Sequence, residues 1–248
     1  MKKYASLIFI VAILFIYILL SDVIFKDYDY IPKLVASFLK LSEKTSFSLL
    51  ITVIFSTLLK CLIAMIVSFI ISFFLAGLSS KYQGFKQVMA FFMPIIRSFP
   101  TLAITLYLFM LFNSTLSAII VTIIVLMPIL YNSFLMKFEA LNGTITPFLY
   151  ANKIRKRDIY FHYYPRYFLS LFYDCIKSSF GLGLKVIIAA EIVGIPMNSL
   201  GLFIKISYDN LDFMLMFGWI MIVLLISLFI EVIVNFVSKK TIKWELKS

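Results

Sequence analysis

The feature that most limits what this chain can become is Ser46–Leu78, a run of 33 residues holding one charge, Lys60. As a helix rising 1.5 Å per residue it reaches ~50 Å, more than the ~30 Å hydrocarbon core of a bilayer. Hydrocarbon offers backbone amides no partner, so a run this apolar reads as a spanning helix. Five further runs follow the same logic: Tyr4–Leu20, Val88–Phe112 (broken by Pro94 and Pro100), Leu116–Met136, Tyr167–Ile195 and Phe213–Val237, with a tight turn at Asn113-Ser114. Hydrophobic residues make up 62% of the 248, and mean hydropathy is +1.03. Globular chains run about 45–50% apolar. The expected fold is therefore an all-α polytopic membrane protein with six transmembrane helices.

Six spans put both termini on one side, and the basic residues decide which. Fourteen of the 23 Lys and Arg fall in the termini and in the loops after the second and fourth runs, against five on the other side. Excess Lys and Arg mark the cytoplasmic side, so the termini and the central polar loop 137–166 are expected there. The expected location is the bacterial plasma membrane. The net charge of +11 reflects this bias and contact with anionic lipid, and no nucleic-acid partner is expected. Lys2-Lys3 before Tyr4–Leu20 look like the start of a signal peptide, but no small-residue cleavage site follows, so a retained first helix is expected. The stretch after Ile31-Pro32, KLVASFLKL, has helical apolar spacing and suits an amphipathic helix on the outer membrane face. The organisation expected is 1–45 (first helix and outer amphipathic segment), 46–238 (transmembrane domain) and 239–248 (basic cytoplasmic tail), with a loop over Pro196–Asp212.

Several chemistries are missing. There is no G-x-x-x-x-G-K-[ST] nucleotide loop, no H-E-x-x-H, and a single histidine, His162. No G-x-S-x-G elbow occurs, and no span holds two carboxylates three or four residues apart. Cys61 and Cys175 lie in apolar runs and read as packing residues. An enzyme is disfavoured, no metal or cofactor is expected, and transport or scaffolding remains.

Charged residues inside spans each cost ~2.5–3.5 kcal/mol on insertion scales, so each asks for a reason. On the fifth run Asp174, Lys177, Ser178, Gly181 and Lys185 share one helical face, with Asp174 and Lys177 close enough to pair. The stripe faces a partner helix or a water-filled path, or Lys177 snorkels to the interface. Glu191, about 100° off the stripe, is a gate carboxylate or an interfacial cap. Arg97, between Pro94 and Pro100, either lines a cavity with Ser98 and Thr101 or holds carbonyls freed by the prolines. Lys60 has no evident partner in its own run and reads as a snorkelling or inter-helix contact. The loop TPFLYANKIRKRDIYFHYYP offers Thr146 as a cap, Pro147 at a first helical position, Asn152 for a left-handed turn, and a second helix through KIRKRDIYFHYY.

Gly181–Gly201, GLGLKVIIAAEIVGIPMNSLG, resembles the fifth-helix region of ABC importer permeases of the nitrate/sulfonate/taurine/bicarbonate type, with Ala189, Ala190, Glu191 and Gly201 at matching positions. Arg97–Ala103, RSFPTLA, is similar to that family's third helix, and Ser56–Ser68 to its second, Lys60 standing at a usually basic position. The family's Glu-Ala-Ala cytoplasmic motif is reduced here to its closing proline, Pro165. Thr146, Pro147 and Phe148 stand at its Glu-Ala-Ala, Asn152 at its Gly, His162 at its Ile and Tyr164 at its Leu. The resemblance implies the transmembrane permease subunit of an ATP-driven importer for a small solute, such as a sulfonate, nitrate, taurine or thiamine precursor. It implies a homodimer, ABC ATPase subunits on the cytoplasmic side and an extracytoplasmic substrate-binding protein. It implies an ATPase-coupling helix of Thr146, Pro147, Phe148, Leu149, Tyr150, Ala151, Asn152 and Lys153 closed by Pro165. The expected pathway is Arg97, Ser98, Thr101, Asp174, Lys177, Gly181, Lys185 and Glu191. The rivals are the membrane coupling subunit of a vitamin importer and an integral membrane enzyme.

Overall fold

The computed structural model describes residues 33–241, with side chains through Ser238. The expected first helix, the start of the outer segment and the tail from residue 242 lie outside the described residues. Among these the chain is helical and contains no strand.

Helix α1, Leu34–Lys44, is the expected amphipathic segment, and Ser37 and Leu41 are its buried residues. The long run folds as α2, Phe47–Lys81, capped by Ser46, whose hydroxyl accepts the Leu49 N–H at 3.3 Å. Its buried stripe is built of small residues at helical spacing: Thr57, Cys61, Ala64, Ser68, Ser72, Ala76 and Ser79. Small residues let helix backbones approach closely where no water drives association. The partner is α5, Ser114–Ala140, which forms the most extensive helix contact with α2 and buries Ser117, Ala118, Val121 and Thr122. Hydroxyls along the seam are satisfied, Ser68 within α2 by the Ala64 carbonyl at 2.7 Å and Ser72 across the seam by the Met127 carbonyl of α5 at 2.9 Å.

Between them lies a broken pair, α3 (Gln83–Ser98) and α4 (Thr101–Leu111), bent by 88°. The break falls at Phe99-Pro100, because a proline pushes the residue before it into extended backbone; Phe99 has φ −64 and ψ 132. Pro94, expected to share in the break, stays inside α3, and Pro128 stays inside α5. Asn113 makes the expected turn and caps α5, its side chain accepting the Leu116 N–H at 2.9 Å.

Helix α5 does not stop at the polar loop. It passes through a π-turn, Leu141–Ile145, into α6, Thr146–Ala151. The chain turns and restarts as α7, Lys156–Asp158, then a second π-turn, Ile159–Tyr163, then α8, Tyr164–Gly194. Phe69 and Phe73 of α2 meet Phe134 and Phe138 of α5 and Phe168 and Phe172 of α8, mostly edge-on at 4.8–5.9 Å, a favoured aromatic geometry.

The expected loop over Pro196–Asp212 is a correction: it contains α9, Leu200–Asp209, capped by Ser199, which accepts the Leu202 N–H at 3.2 Å. Its buried positions Leu200, Ile204 and Ser207 repeat at helical spacing, a pattern of only ten residues. The last helix is α10, Phe213–Thr241. Asp212 begins it, accepting the Leu215 N–H at 3.1 Å, and also pairs with Lys40 at 2.7 Å and Lys44 at 3.0 Å. This fixes α1 against α10. The close approach requires Gly218, where a Cβ would stand 2.9 Å from the Ser37 carbonyl oxygen.

By length and composition Phe47–Lys81, Ser114–Ala151 and Phe213–Ser238 each suffice to cross a membrane, and α3 with α4 makes a fourth if the bent pair counts as one. Long apolar helices in this number suit membrane insertion.

Candidate functional site

The best-defined polar site is a buried knot joining α2, α8 and α9. Lys60 Nζ lies 2.7 Å from Glu191 Oε1, and the Glu191 side chain is 0% exposed. Thr57 Oγ1 lies 3.2 and 3.0 Å from the two Glu191 oxygens. The Gly201 N–H donates to Oε2 at 3.2 Å, and the Leu200 N–H donates to Thr57 Oγ1 at 3.0 Å. The knot therefore ties up amides of the first turn of α9, which have no partner within their own helix. Only glycine fits at 201, since a Cβ there would lie 2.3 Å from Glu191 Cβ and 2.6 Å from the Ile192 nitrogen.

Local geometry brings α9 back to α8. Ile195 ends α8 with φ 51, and Asn198 has φ 52. A β-branched residue in that left-handed region is strained. Glu191, expected as a gate carboxylate or an interfacial cap, is the centre of a buried ion pair, and Lys60 makes the inter-helix contact.

The fifth-run stripe is also corrected in its pairing. Asp174 pairs with Lys137 of α5 at 3.3 Å, whereas Lys177 donates to Ser238 of α10 at 3.2 Å. Both residues find partners on neighbouring helices instead of each other. Asp174, Lys177, Ser178 and Lys185 are exposed and Gly181 is half-buried, so the stripe faces outward from the bundle. Arg97 is exposed at the end of α3. It lines a cavity of about 300 Å³ with Lys86, Met93 and Pro94 of α3 and Pro128, Tyr131 and Asn132 of α5. Ser98 and Thr101 do not join that lining. Ser98 donates to the Ile95 carbonyl at 2.8 Å, and the Thr101 carbonyl accepts from Thr105 at 2.7 Å.

The central polar segment is an elbow. Thr146 is not a cap, because α5 continues in helical backbone through Ile145, φ −73 and ψ −51. Its hydroxyl instead meets the Tyr164 hydroxyl at 3.1 Å, tying the two limbs together. Tyr167 adds a bond to the Lys137 carbonyl at 2.9 Å. The left-handed residue is Lys153, φ 57, not Asn152, φ −83. Asn152 uses its side-chain amide to satisfy the Phe148 carbonyl at 2.9 Å. Pro165 falls near the start of α8, where its missing N–H costs little. Leu149 is buried, while Phe148 is 65% and Phe161 74% exposed.

Lys137 with Asp174 joins α5 to α8, and Lys177 with Ser238 joins α8 to α10 about one helical turn further on. Ala151 lies 14 residues past Lys137, a helical path on the order of 20 Å. Connections between neighbouring helices need only about 2–8 residues, so the elbow exceeds what linking requires.

Sequence reasoning missed the pairing of Lys60 with Glu191 and the roles of Thr57 and Lys137. One signal was present: a lone charge in an apolar run needs a partner, and Lys60 and Glu191 are charges of opposite sign in two such runs. Among the described residues no cluster of His, Cys, Asp and Glu forms a metal site. No protein-family model matches the chain. No curated protein matches it either.

Proposed function

We propose that this chain is the transmembrane permease subunit of a binding-protein-dependent ABC importer, with six spans in a permease core and both termini in the cytoplasm. The single observation that carries the reading is the elbow. It is a helical hairpin whose limbs are tied by Thr146 and Tyr164, with Phe148 and Phe161 exposed on it. Exposed aromatics on a polar hairpin suit docking of another protein. In this reading two copies form the pathway, and ATPase subunits grip Thr146–Lys153. Closure of the ATPases moves the elbow and, through α5 and α8, the bundle. The similarity of Gly181–Gly201 and Arg97–Ala103 to importer permeases supports the same assignment. A substrate-binding protein delivers the solute from outside.

The test is co-purification with the ATPase and solute uptake in Phe148→Asp and Tyr150→Asp variants. Both activities should fall while the membrane level of the chain stays unchanged. If recruitment and uptake both survive, the elbow is not the coupling element. Capture of a small membrane substrate-binding subunit in place of a soluble binding protein would move the chain to the vitamin-importer class.

A further inference from the structure

The cavity of about 300 Å³ between α3 and α5 is the size of a small-molecule site, and its polar groups differ in what they have left to offer. Lys86 of α3 pairs with Glu139 of α5 at 2.5 Å, so that cation is already neutralised. The Tyr131 hydroxyl donates to Ser79 Oγ at 2.8 Å and has no proton left to give. Arg97 and Asn132 are uncommitted: neither has a hydrogen bond or ion pair among the described residues. Arg97 therefore does not hold the carbonyls that Pro94 and Pro100 leave without a donor. Counted from the Lys86–Glu139 pair, Arg97 stands about three turns along α3 and Asn132 about two turns along α5, so the two lie within about a turn of one level. Both are exposed, and a solute reaches them without rearrangement of the bundle.

Met93, Pro94, Pro128 and Leu135 make most of the remaining wall apolar. One free guanidinium beside one free amide, in an otherwise apolar slot, matches a single negative charge carried on an apolar body. An unpaired cation in an apolar run is costly, and an anionic occupant removes that cost.

We propose that the cavity between α3 and α5 binds a small organic monocarboxylate. The planar guanidinium of Arg97 donates two parallel N–H bonds to the carboxylate, and the Asn132 amide adds a third. The hydrocarbon body lies against the prolines, Met93 and Leu135. A dianion leaves its second charge unmatched, because Glu139 holds Lys86. A neutral solute leaves the guanidinium unpaired. The inference rests on the transport reading only in making this occupant the transported solute; binding is measured on the chain alone, so it stands or fails apart from the elbow.

The experiment titrates the full chain, purified in detergent, with benzoate, benzamide, benzenesulfonate, phthalate and acetate, and follows binding by calorimetry. Benzoate should bind most tightly. Benzamide, which lacks the charge, should bind about tenfold or more weakly, and acetate, which lacks the body, about tenfold more weakly. Arg97→Gln should weaken benzoate about tenfold or more, and Asn132→Leu about threefold or more. The double variant Lys86→Gln, Glu139→Gln removes a neutralised pair from the same cleft and should leave benzoate within about twofold. Ala90→Leu, at an exposed position in the wall, should abolish binding with an unchanged melting temperature. Benzoate affinity that survives Arg97→Gln or Ala90→Leu overturns the proposal, as does benzamide binding as well as benzoate. Benzenesulfonate or phthalate binding above benzoate assigns another head group and overturns the carboxylate, and acetate matching benzoate overturns the apolar body. A chain that melts normally and gives no heat with any probe at millimolar concentration overturns the site itself.

Discussion

Removing Lys60 should uncouple α9 from the bundle. In Lys60→Met, Glu191 keeps its burial and loses its counter-charge, and only Thr57 Oγ1 and the Gly201 N–H still contact its oxygens. Two neutral hydrogen bonds are worth about 1 kcal/mol each, well short of the several kcal/mol that desolvating a carboxylate costs. Breaking a buried pair by deleting one partner costs about 3–5 kcal/mol. Glu191→Gln should cost a similar amount by stranding the ammonium, whose side chain is 9% exposed. The double variant Lys60→Met, Glu191→Gln removes both charges and leaves an amide able to accept from Gly201. It should cost only about 1 kcal/mol, against a sum of at least about 6 kcal/mol for the two singles, so the coupling should be about 5 kcal/mol or more. At about 2–4 °C per kcal/mol for a chain of this size, each single variant should melt roughly 6–20 °C lower. The assay is thermal unfolding in detergent micelles followed by tryptophan fluorescence, since Trp219 lies 5.0 Å from Phe203 of α9. Amide exchange at Leu200 and Gly201 should accelerate in the singles and return towards the native rate in the double. Additive single effects, or singles within about 1 kcal/mol of the unsubstituted chain, would refute the knot as the tie between α8 and α9.

Gly201→Ala should be at least as damaging, by about 3 kcal/mol, because the added Cβ meets Glu191 Cβ and the Ile192 backbone nitrogen; rapid exchange across α9 would register it, and a native melting temperature would contradict it. Burial alone would push the Asp212 carboxyl up, but hydrogen bonds from Lys40, Lys44 and the Leu215 N–H hold it at about 2. A depressed folded value stabilises the native state above the unfolded value of ~3.9 and loses that help as pH falls towards 2. Proteolytic nicking of Leu34–Lys44 should therefore rise between about pH 4 and pH 2, and Asp212→Asn should flatten that dependence. Ile195→Gly should raise the melting temperature by relieving a left-handed isoleucine, a gain of roughly 0.5–1 kcal/mol after glycine's extra unfolded-state entropy; a drop would show that the turn is not strained.

The sequence by itself determined the material and the length scale. Apolar runs longer than a bilayer is thick had to become helices, because backbone amides in hydrocarbon have no other partner. The sequence also placed the break before Pro100, the turn at Asn113 and an interruption between Met136 and Tyr167, all of which rest on local backbone chemistry. It misread Pro196–Asp212 because a ten-residue helix carries too short a period to stand out. It misread Thr146 and Asn152 because a π-turn carries α5 past the expected cap and shifts the left-handed position to Lys153.

Only the tertiary structure decided which charge meets which. Lys60 and Glu191 lie 131 residues apart, and Lys137 and Asp174 lie 37 apart. Helical spacing within one run could suggest Asp174 with Lys177, but partners across helices depend on how deeply each helix sits against its neighbours. That depth is set by shape, by the small-residue stripe of α2 against α5 and by Gly201 against Glu191. The periodicity of a single run says which face must be covered and is silent on the height of whatever covers it.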